Sequence, residues 1–359
     1  MKKISYGQMI VLLLVFRFLR TVTFNPFVNT DSVIVIWAVL ASTVFQGVLV
    51  LPLVWIYNKY PDKDINRIAY DVSKPFGICV SLLYRLFFFL VALKAVKNFT
   101  YFMLEMFPGT GSKAVIVITL LVVSGYGAYL GLESIARSSG FVIVLVFVML
   151  ALMIVTIKGD LDFINIYIPA DKTAKSFFNC FVQETGMNSE IVAVAVLLPN
   201  IRAGIKKGIY GYLTLKLILI ELVIVLYTAL FGEYVKNITL PFFALGAYSK
   251  TRFIERLDPL YMLVWTLCAI VTIALAIYLS VQCTKNVLIK IKKSLLYIIF
   301  TAVCMAVILP FKLKMSVIDI AFDKWINSIL IVLLVCIIPL ITVFIYGNSV
   351  KRNIRKGEE

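Results

Sequence analysis

The sequence predicts an all-α integral membrane protein with about ten transmembrane helices. Hydrophobic residues make up 62% of the 359-residue chain and the mean hydropathy is +0.98, whereas soluble domains are closer to half apolar. Long apolar runs recur, most clearly at Ser32–Ile56, Phe141–Ile157 and Ile326–Tyr346. At a rise of about 1.5 Å per residue, ~20 such residues cross a hydrocarbon core of ~30 Å. A chain with so many of these runs requires lipid as its solvent.

Ten predicted spans follow one another, joined by polar connectors. The first, third and sixth are irregular, because Arg17 and Arg20 interrupt the first, Arg85, Lys94 and Lys97 interrupt the third, and polar residues open the sixth. No soluble domain, low-complexity tract or repeat is visible in the sequence, so we predict a single polytopic membrane domain over residues 1–359. The predicted spans are 5–25, 32–57, 76–104, 114–132, 140–157, 178–199, 209–232, 259–283, 294–311 and 326–346.

The distribution of basic residues predicts the orientation of the chain in the membrane. The formal net charge is +16, but lysine and arginine are scattered among short connectors, which suits anionic lipid headgroups and not a nucleic-acid-binding face. With an even number of spans, the two termini share a side with four connectors, and these segments hold 18 basic residues against 11 on the opposite side. The positive-inside rule therefore predicts that both termini lie in the cytoplasm.

The residue inventory argues against catalysis. The chain has no histidine, and histidine is the commonest general base and metal ligand. Phosphate-cradling glycine loops, aspartate-rich metal sequences and serine nucleophile elbows are also missing from the sequence. The six cysteines lie in or beside separate apolar stretches without a C-x-x-C pair, as expected of small buried hydrophobes. We therefore predict no enzymatic activity, no metal site and no cofactor.

A polar, glycine-containing patch, Gln183–Glu190, opens span six. One interpretation is a helix broken at membrane depth, whose free N–H and C=O groups and helix dipole ends bind a small ligand. The other is that the span begins at Glu190 and the patch lies among the outer headgroups. The residues alone leave both interpretations open.

Charges inside the other spans need partners. Arg17 and Arg20 lie three residues apart on one face of span one, and a charge at mid-bilayer costs ~2.5–3.5 kcal/mol on insertion scales. Arg20 is close enough to the outer interface to snorkel, whereas Arg17 is deeper. Glu184, Glu190 and Glu105 are the candidate partners of Arg17. Lys94 and Lys97 are interpreted as snorkelling residues, and Lys216 and Glu221 of span seven as charges that a neighbouring helix or subunit satisfies.

Two stretches resemble one known family. Tyr126–Ser139 reads YGAYLGLESIARSS, and Phe253–Trp265 reads FIERLDPLYMLVW. With the length, the ten spans and the basic tail, they resemble the endospore germination permeases. These are the B subunits of nutrient germinant receptors, within the amino acid–polyamine–organocation superfamily. The resemblance covers nearly the whole chain.

The resemblance implies a fold of two inverted five-helix repeats, with spans one and six broken at the midplane and a ligand between them. It also implies a location in the spore inner membrane, partnership with an A subunit and a lipoprotein C subunit, and the sensing of a small nutrient. The sequence departs from the family at Phe18–Thr21, where members carry Gly-x-Gly or similarly small residues. Leu19 and Thr21 lack the conformational freedom of glycine. Span one is therefore either unbroken or binds its ligand through side chains.

We predict the ligand site between span one, around Phe16–Arg20, and span six, around Gly186–Glu190. Gly186 would allow local unwinding, and the freed N–H groups would bind a ligand carboxylate. An arginine would either bind that carboxylate or pair with Glu190. The predicted site residues are Arg17, Arg20, Gly186, Met187, Asn188, Ser189 and Glu190, with Tyr101, Tyr261 and Trp265 as candidate walls.

The leading function is recognition of a small, amino-acid-like nutrient by the membrane subunit of a spore germinant receptor, without covalent chemistry. The alternative is a secondary transporter of amino acids or related solutes, coupled to an ion gradient. A third hypothesis, an embedded enzyme or a flippase-like lipid handler, has no catalytic residues to support it. Neighbouring genes for A and C subunits would separate the first two functions.

Overall fold

A computed structural model describes residues 3–26, 32–106, 112–166, 174–249, 257–285, 291–310, 319 and 323–357. Apart from short 3₁₀ and π-helical turns and one isolated β-bridge, the regular secondary structure of these residues is α-helical. The α-helices are α1 (Tyr6–Thr23), α2 (Ser32–Leu49), α3 (Leu51–Lys59), α4 (Ile65–Val72), α5 (Lys74–Met106), α6 (Lys113–Leu130), α7 (Leu132–Ile157), α8 (Ala174–Met187), α9 (Glu190–Leu197), α10 (Ile205–Phe231), α11 (Pro241–Tyr248), α12 (Asp258–Lys285), α13 (Lys293–Ile308), α14 (Lys324–Val332) and α15 (Ile338–Gly357).

The predicted class, an all-α integral membrane protein, is confirmed. Within the described residues, eight helices are long and apolar enough to cross a membrane. The two remaining predicted spans, 178–199 and 294–311, contain the shorter apolar helices Glu190–Asn200 and Lys293–Ile308. Large apolar side chains such as Phe141 and Val155 point outward from α7, which suits lipid and not water. The count of ten crossings and the two inverted five-helix repeats stay predictions.

Span one is continuous, which corrects the break that the family resemblance implies. Helix α1 runs unbroken from Tyr6 to Thr23, and all residues from 12 to 19 are buried. Leu19 and Thr21 leave the chain helical where glycines would let it unwind. Because residues 12 to 19 are enclosed on every side, a charge in this part of α1 must find its partner within the bundle.

Span six is broken, as predicted. Helix α8 ends at Met187 and α9 begins at Glu190, with Asn188 and Ser189 between them. The polar side chains around the break are buried. They are Glu184, Thr185, Asn188, Ser189 and Glu190. The break therefore lies inside the protein, where lipid does not reach the freed backbone groups.

Four segments meet at one end of the bundle. Ile4 pairs with Ile201 in an isolated parallel β-bridge, and Lys3 lies 3.2 Å from Asp62. Nζ of Lys63 donates to the Tyr346 hydroxyl at 3.0 Å. The amino terminus, the connectors after α3 and α9, and the last helix thus share one end, as the even number of predicted spans requires.

Candidate functional site

A buried ion pair joins α1 to α8. Nη2 of Arg17 lies 2.5 Å from Oε1 of Glu184, and the side chains are only 3% and 6% exposed. The enclosed position of α1 leaves Arg17 no route to solvent, and Glu184 lies one turn before the break. Each charge offsets the cost of burying the other. Of the three candidate partners for Arg17, the structure selects Glu184.

A second cation contacts the break itself. Nζ of Lys216, on α10, donates to Oε1 of Gln46 at 2.5 Å and to Oδ1 of Asn188 at 3.1 Å. Gln46 in turn donates to the Ser42 hydroxyl, which lies 3.0 Å from the Thr185 hydroxyl. Lys216 is therefore hydrogen-bonded by neighbouring helices of its own chain, which is one of the two alternatives that the sequence left open, although its partners are neutral amides.

Glu190 opens the second half of the broken span. Its Oε1 accepts from the Tyr212 hydroxyl at 2.5 Å, whereas its Oε2 and the Ser189 hydroxyl have no hydrogen-bond partner among the described residues. In the structure, Glu190 is therefore hydrogen-bonded to Tyr212, whereas Arg17 forms an ion pair with Glu184. The hypothesis that Arg17 pairs with Glu190 and closes the site is not met.

Two side-chain amides replace helical hydrogen bonds at the break. Nδ2 of Asn188 donates to the carbonyl of Glu184 at 2.5 Å, and Nδ2 of Asn327, on α14, donates to the carbonyl of Gly186. Carbonyl groups freed by a break must be satisfied, because a buried unpaired one costs about as much as a lost hydrogen bond. Asn327 therefore ties the last span to the broken one.

Gly186 allows close packing, not the unwinding that we predicted. It lies inside α8, and its φ angle is outside the left-handed region, which the structure assigns to Gly131, Gly204 and Gly232. A β-carbon at position 186 would lie 2.8 Å from Oγ of Ser328 and 3.0 Å from the backbone oxygen of Lys324. Only a residue without a side chain lets α8 approach α14 this closely.

A cavity of about 340 Å³ lies beside the break, between α1, α5, α8, α12 and α14. Its volume is at the small end of the ~300–1,000 Å³ range of ligand pockets. The lining mixes apolar, amide, hydroxyl and charged side chains. The lining residues are Leu19, Arg20, Thr23, Phe24, Val91, Lys94, Ala95, Asn98, Phe99, Gln183, Gly186, Met187, Trp265, Thr272, Asp323, Lys324 and Asn327.

One wall of the cavity is a fixed aromatic cluster. The Trp265 ring stacks on Phe99 with ring centroids 4.6 Å apart and meets Phe102 edge-on at 4.5 Å. Its Nε1 donates to the Thr23 hydroxyl at 2.9 Å, and Thr23 bonds the carbonyl of Leu19. The ring is held from two sides and gives a rigid apolar surface to the cavity.

Two buried polar atoms in the lining have no partner within the described part of the chain. They are the Thr272 hydroxyl and Oδ1 of Asn327, on residues that are each 2% exposed. An unsatisfied buried polar group costs ~1–3 kcal/mol. Both residues line the cavity, although these two atoms themselves have almost no solvent-accessible surface.

A smaller cavity of about 20 Å³ lies against the ion pair and is lined by both Arg17 and Glu184. It shares Arg20, Phe24 and Met187 with the larger cavity. Nε and Nη1 of Arg17 are buried without a hydrogen-bond partner among the described residues. The ion pair and the larger cavity are therefore neighbours that three side chains connect.

The structure brings only some of the predicted site residues to the larger cavity. Arg20, Gly186, Met187 and Trp265 line it. Arg17, Asn188, Ser189 and Glu190 belong to the adjoining buried cluster. Tyr261 lies behind Trp265, with ring centroids 6.3 Å apart, and Tyr101 is 38% exposed and does not line the cavity.

Sequence reasoning missed several lining residues. Lys94 and Lys97 do not match the predicted snorkelling role, because Lys94 lines the cavity and Lys97 forms an ion pair with Asp319. Asp323 and Lys324 lie just before the predicted start of span ten at residue 326. The sequence feature that indicates these residues is the polar start of this span, where Asp323, Lys324 and Asn327 precede the apolar run.

The fold and the cavity define the class: an integral membrane protein with a charged, partly aromatic cavity beside a broken helix. The chain belongs to the spore germination protein family, whose sequence profile matches residues 3–316. This is the family that the two stretches resembled, although residues 253–256 of the second stretch lie outside the described residues. A comparison with curated proteins finds no match. The family consists of membrane permeases and receptors and is not a known class of enzyme.

Proposed function

We propose that the chain is the membrane subunit of a spore nutrient germinant receptor, which recognises a small, amino-acid-like nutrient and triggers germination. The family supports a role in germination. The observation that carries the proposal is the cavity, because it combines cationic side chains, polar side chains and a rigid aromatic wall in one space.

The cavity suits an amino acid. A guanidinium group such as that of Arg20 binds a carboxylate with two parallel hydrogen bonds. The Asp323 carboxylate in the lining accepts hydrogen bonds, as an ammonium group requires. Trp265 and Met187 offer an apolar surface to the remainder of the ligand.

The ligand would act on the helix break through shared residues. Arg20 and Met187 border both cavities, so a ligand on Arg20 changes the electrostatic environment of the Arg17–Glu184 pair. A ligand shifts a conformational equilibrium only by its difference in affinity for the two states. The break between α8 and α9 is the element whose two arrangements a ligand would distinguish.

Assembly with A and C subunits in the spore inner membrane, with both termini in the cytoplasm, completes the proposal. The 18 to 11 bias in basic residues supports this orientation. The two carboxylate oxygens of Glu221, in span seven, have no hydrogen-bond partner within the described residues. A charge of this kind inside a membrane is suited to a partner on another subunit.

Proteoliposomes containing the purified chain test the proposal against its alternative. A receptor should bind a labelled amino acid saturably, and an ion gradient should not concentrate the ligand inside. Gradient-dependent accumulation would instead identify a secondary transporter. Ala95 lines the cavity, so Ala95→Phe should abolish binding, whereas Ala151→Phe, on the exposed side of α7, should not.

A further inference from the structure

Two adjoining concavities on the surface of the bundle lie away from the larger cavity. The first is a groove of about 530 Å³ between α6 and α13, and the second, of about 440 Å³, lies at the turn between α6 and α7. Tyr129 and Ser294 line the groove, and their chain neighbours Leu130 and Lys293 line the second concavity. The two concavities therefore meet where α6 ends and α13 begins, and the stretch Tyr126–Ser139 supplies residues to both.

The groove is apolar and faces outward. Val122, Tyr126 and Ile298 are exposed along its rims. Between the rims, a β-carbon at Gly125 would lie 2.6 Å from Oγ1 of Thr301, so α6 and α13 approach each other as closely as this glycine allows. An empty groove would lose dispersion contacts with its surroundings. In a membrane, a hydrocarbon chain can fill it.

The second concavity is polar and lies at the end of the bundle that holds the amino terminus. Its lining includes the surface ion pair of Glu133 and Arg137 and the ring of Tyr278. Nδ2 of Asn200 donates to the Tyr278 hydroxyl at 3.5 Å, and the carbonyl of Asn200 accepts from the N–H of Ile4 at 2.8 Å. The bias in basic residues predicts that this end faces the cytoplasm, where the membrane leaflet carries anionic lipids.

Two consecutive lysines lie where the concavities meet. Lys292 and Lys293 are exposed, and Nζ of Lys293 lies 6.0 Å from the ring centroid of Tyr297, which lines the groove. That ring meets Tyr129 edge-on, with ring centroids 6.2 Å apart. Tyrosine rings are enriched at the boundary between membrane and water. The lysines therefore lie at the level of the lipid headgroups, at the mouth of an apolar groove.

We propose that the two concavities form a binding site for a phospholipid with a negatively charged headgroup. Lys292 and Lys293 bind the phosphate, the polar concavity holds the rest of the headgroup, and one acyl chain lies along the groove. A lipid fits better than a transmembrane helix of another subunit, because the lining changes from apolar to polar at Ser294, as a lipid does between its chains and its headgroup. The site is separate from the larger cavity and does not depend on the proposed function.

Native mass spectrometry of the detergent-solubilised chain tests the proposal with two lipids that have the same acyl chains. Dioleoylphosphatidylglycerol carries a net negative charge, whereas dioleoylphosphatidylcholine is zwitterionic. A lysine close to anionic lipid raises the affinity about fivefold, so two lysines should make the phosphatidylglycerol bind ~25-fold more tightly than the phosphatidylcholine.

Lysine variants locate the headgroup. Lys292→Gln/Lys293→Gln should lower the affinity for the phosphatidylglycerol to that for the phosphatidylcholine. Lys206→Gln/Lys207→Gln is the matched control, because these two exposed, consecutive lysines begin α10 at the same end of the bundle, and it should change neither affinity. Equal affinities of the native chain for the two lipids, or an equal loss in both double variants, would overturn the proposal.

A groove variant locates the acyl chain. Ala302 lines the groove, so Ala302→Phe should weaken the binding of both lipids, whereas Ala151→Phe, on the exposed side of α7, should weaken neither. Unchanged lipid binding by Ala302→Phe would overturn the proposal. If Ala302→Phe spares lipid binding but prevents copurification of a partner subunit, the groove binds a helix of that subunit and the proposal is likewise wrong.

Discussion

Replacing Arg17 with methionine should destabilise the protein strongly. The change removes one member of a pair whose side chains are 3% and 6% exposed, and Glu184 would keep a carboxylate in the protein interior without its cation. Breaking a buried pair in this way costs ~3–5 kcal/mol. We expect a loss of this size in the free energy of unfolding, measured by reversible denaturation in mixed micelles.

The double variant Arg17→Met/Glu184→Leu distinguishes a lost pair from lost packing. It removes both charges, and two nitrogens of Arg17 have no hydrogen-bond partner among the described residues. The native pair is thus incompletely satisfied, and exchanging such a pair for apolar residues is often neutral or stabilising. The double variant should recover most of the stability that Arg17→Met loses.

An exposed pair on α7 provides the control. Nη2 of Arg137 lies 2.6 Å from Oε1 of Glu133, with side chains 71% and 24% exposed. Surface pairs of this spacing contribute ~0.3–0.5 kcal/mol, so Arg137→Met should change stability by no more than that. Additive losses in the Arg17 and Glu184 double variant, or a loss below ~1 kcal/mol for Arg17→Met, would refute the reasoning.

Three further predictions concern packing, pH and topology. Gly186→Ala should destabilise the protein, because its new methyl group meets Ser328; an unchanged melting temperature would contradict this. The hydrogen bond to Asp71 raises the pKa of Lys63. The contribution of Lys63 to the free energy of unfolding should therefore be complete below the ordinary lysine pKa and be lost as the pH rises through the raised pKa. In the Lys63→Met variant, this loss of stability at alkaline pH should disappear. An impermeant thiol reagent outside intact cells should not label Asp62→Cys, whose position is 83% exposed; efficient labelling would reverse the orientation.

The helices were predictable because lipid imposes a simple local requirement. The backbone of a long apolar run such as Phe141–Ile157 forms its hydrogen bonds within one helix. The span can therefore be predicted without knowing which distant residues pack against it. The polar patch Gln183–Glu190 marked span six as irregular, but only the family resemblance implied a break there. What the sequence left open was whether this patch is buried, because burial depends on α2, α10 and α14 packing around it.

The pairing of charges could not be predicted from single helices. Arg17 had three candidate partners, and the choice of Glu184 depends on how α1 and α8 meet. The depth of Lys94 in span three predicts a snorkelling side chain. Depth alone does not show which helix packs against a residue, so the position of Lys94 at the cavity could not be predicted. The role of Gly186 was missed for the same reason: its close contact is with Ser328, 142 positions further along the chain.

Germination of spores that carry Ala95→Phe tests the central claim most directly. The claim is that a nutrient in the larger cavity triggers germination, and the new ring would occupy that cavity. Spores with Ala95→Phe should fail to lose optical density in the nutrient that triggers spores with Ala151→Phe, at equal amounts of the two proteins. A normal response of the Ala95→Phe spores would contradict the account.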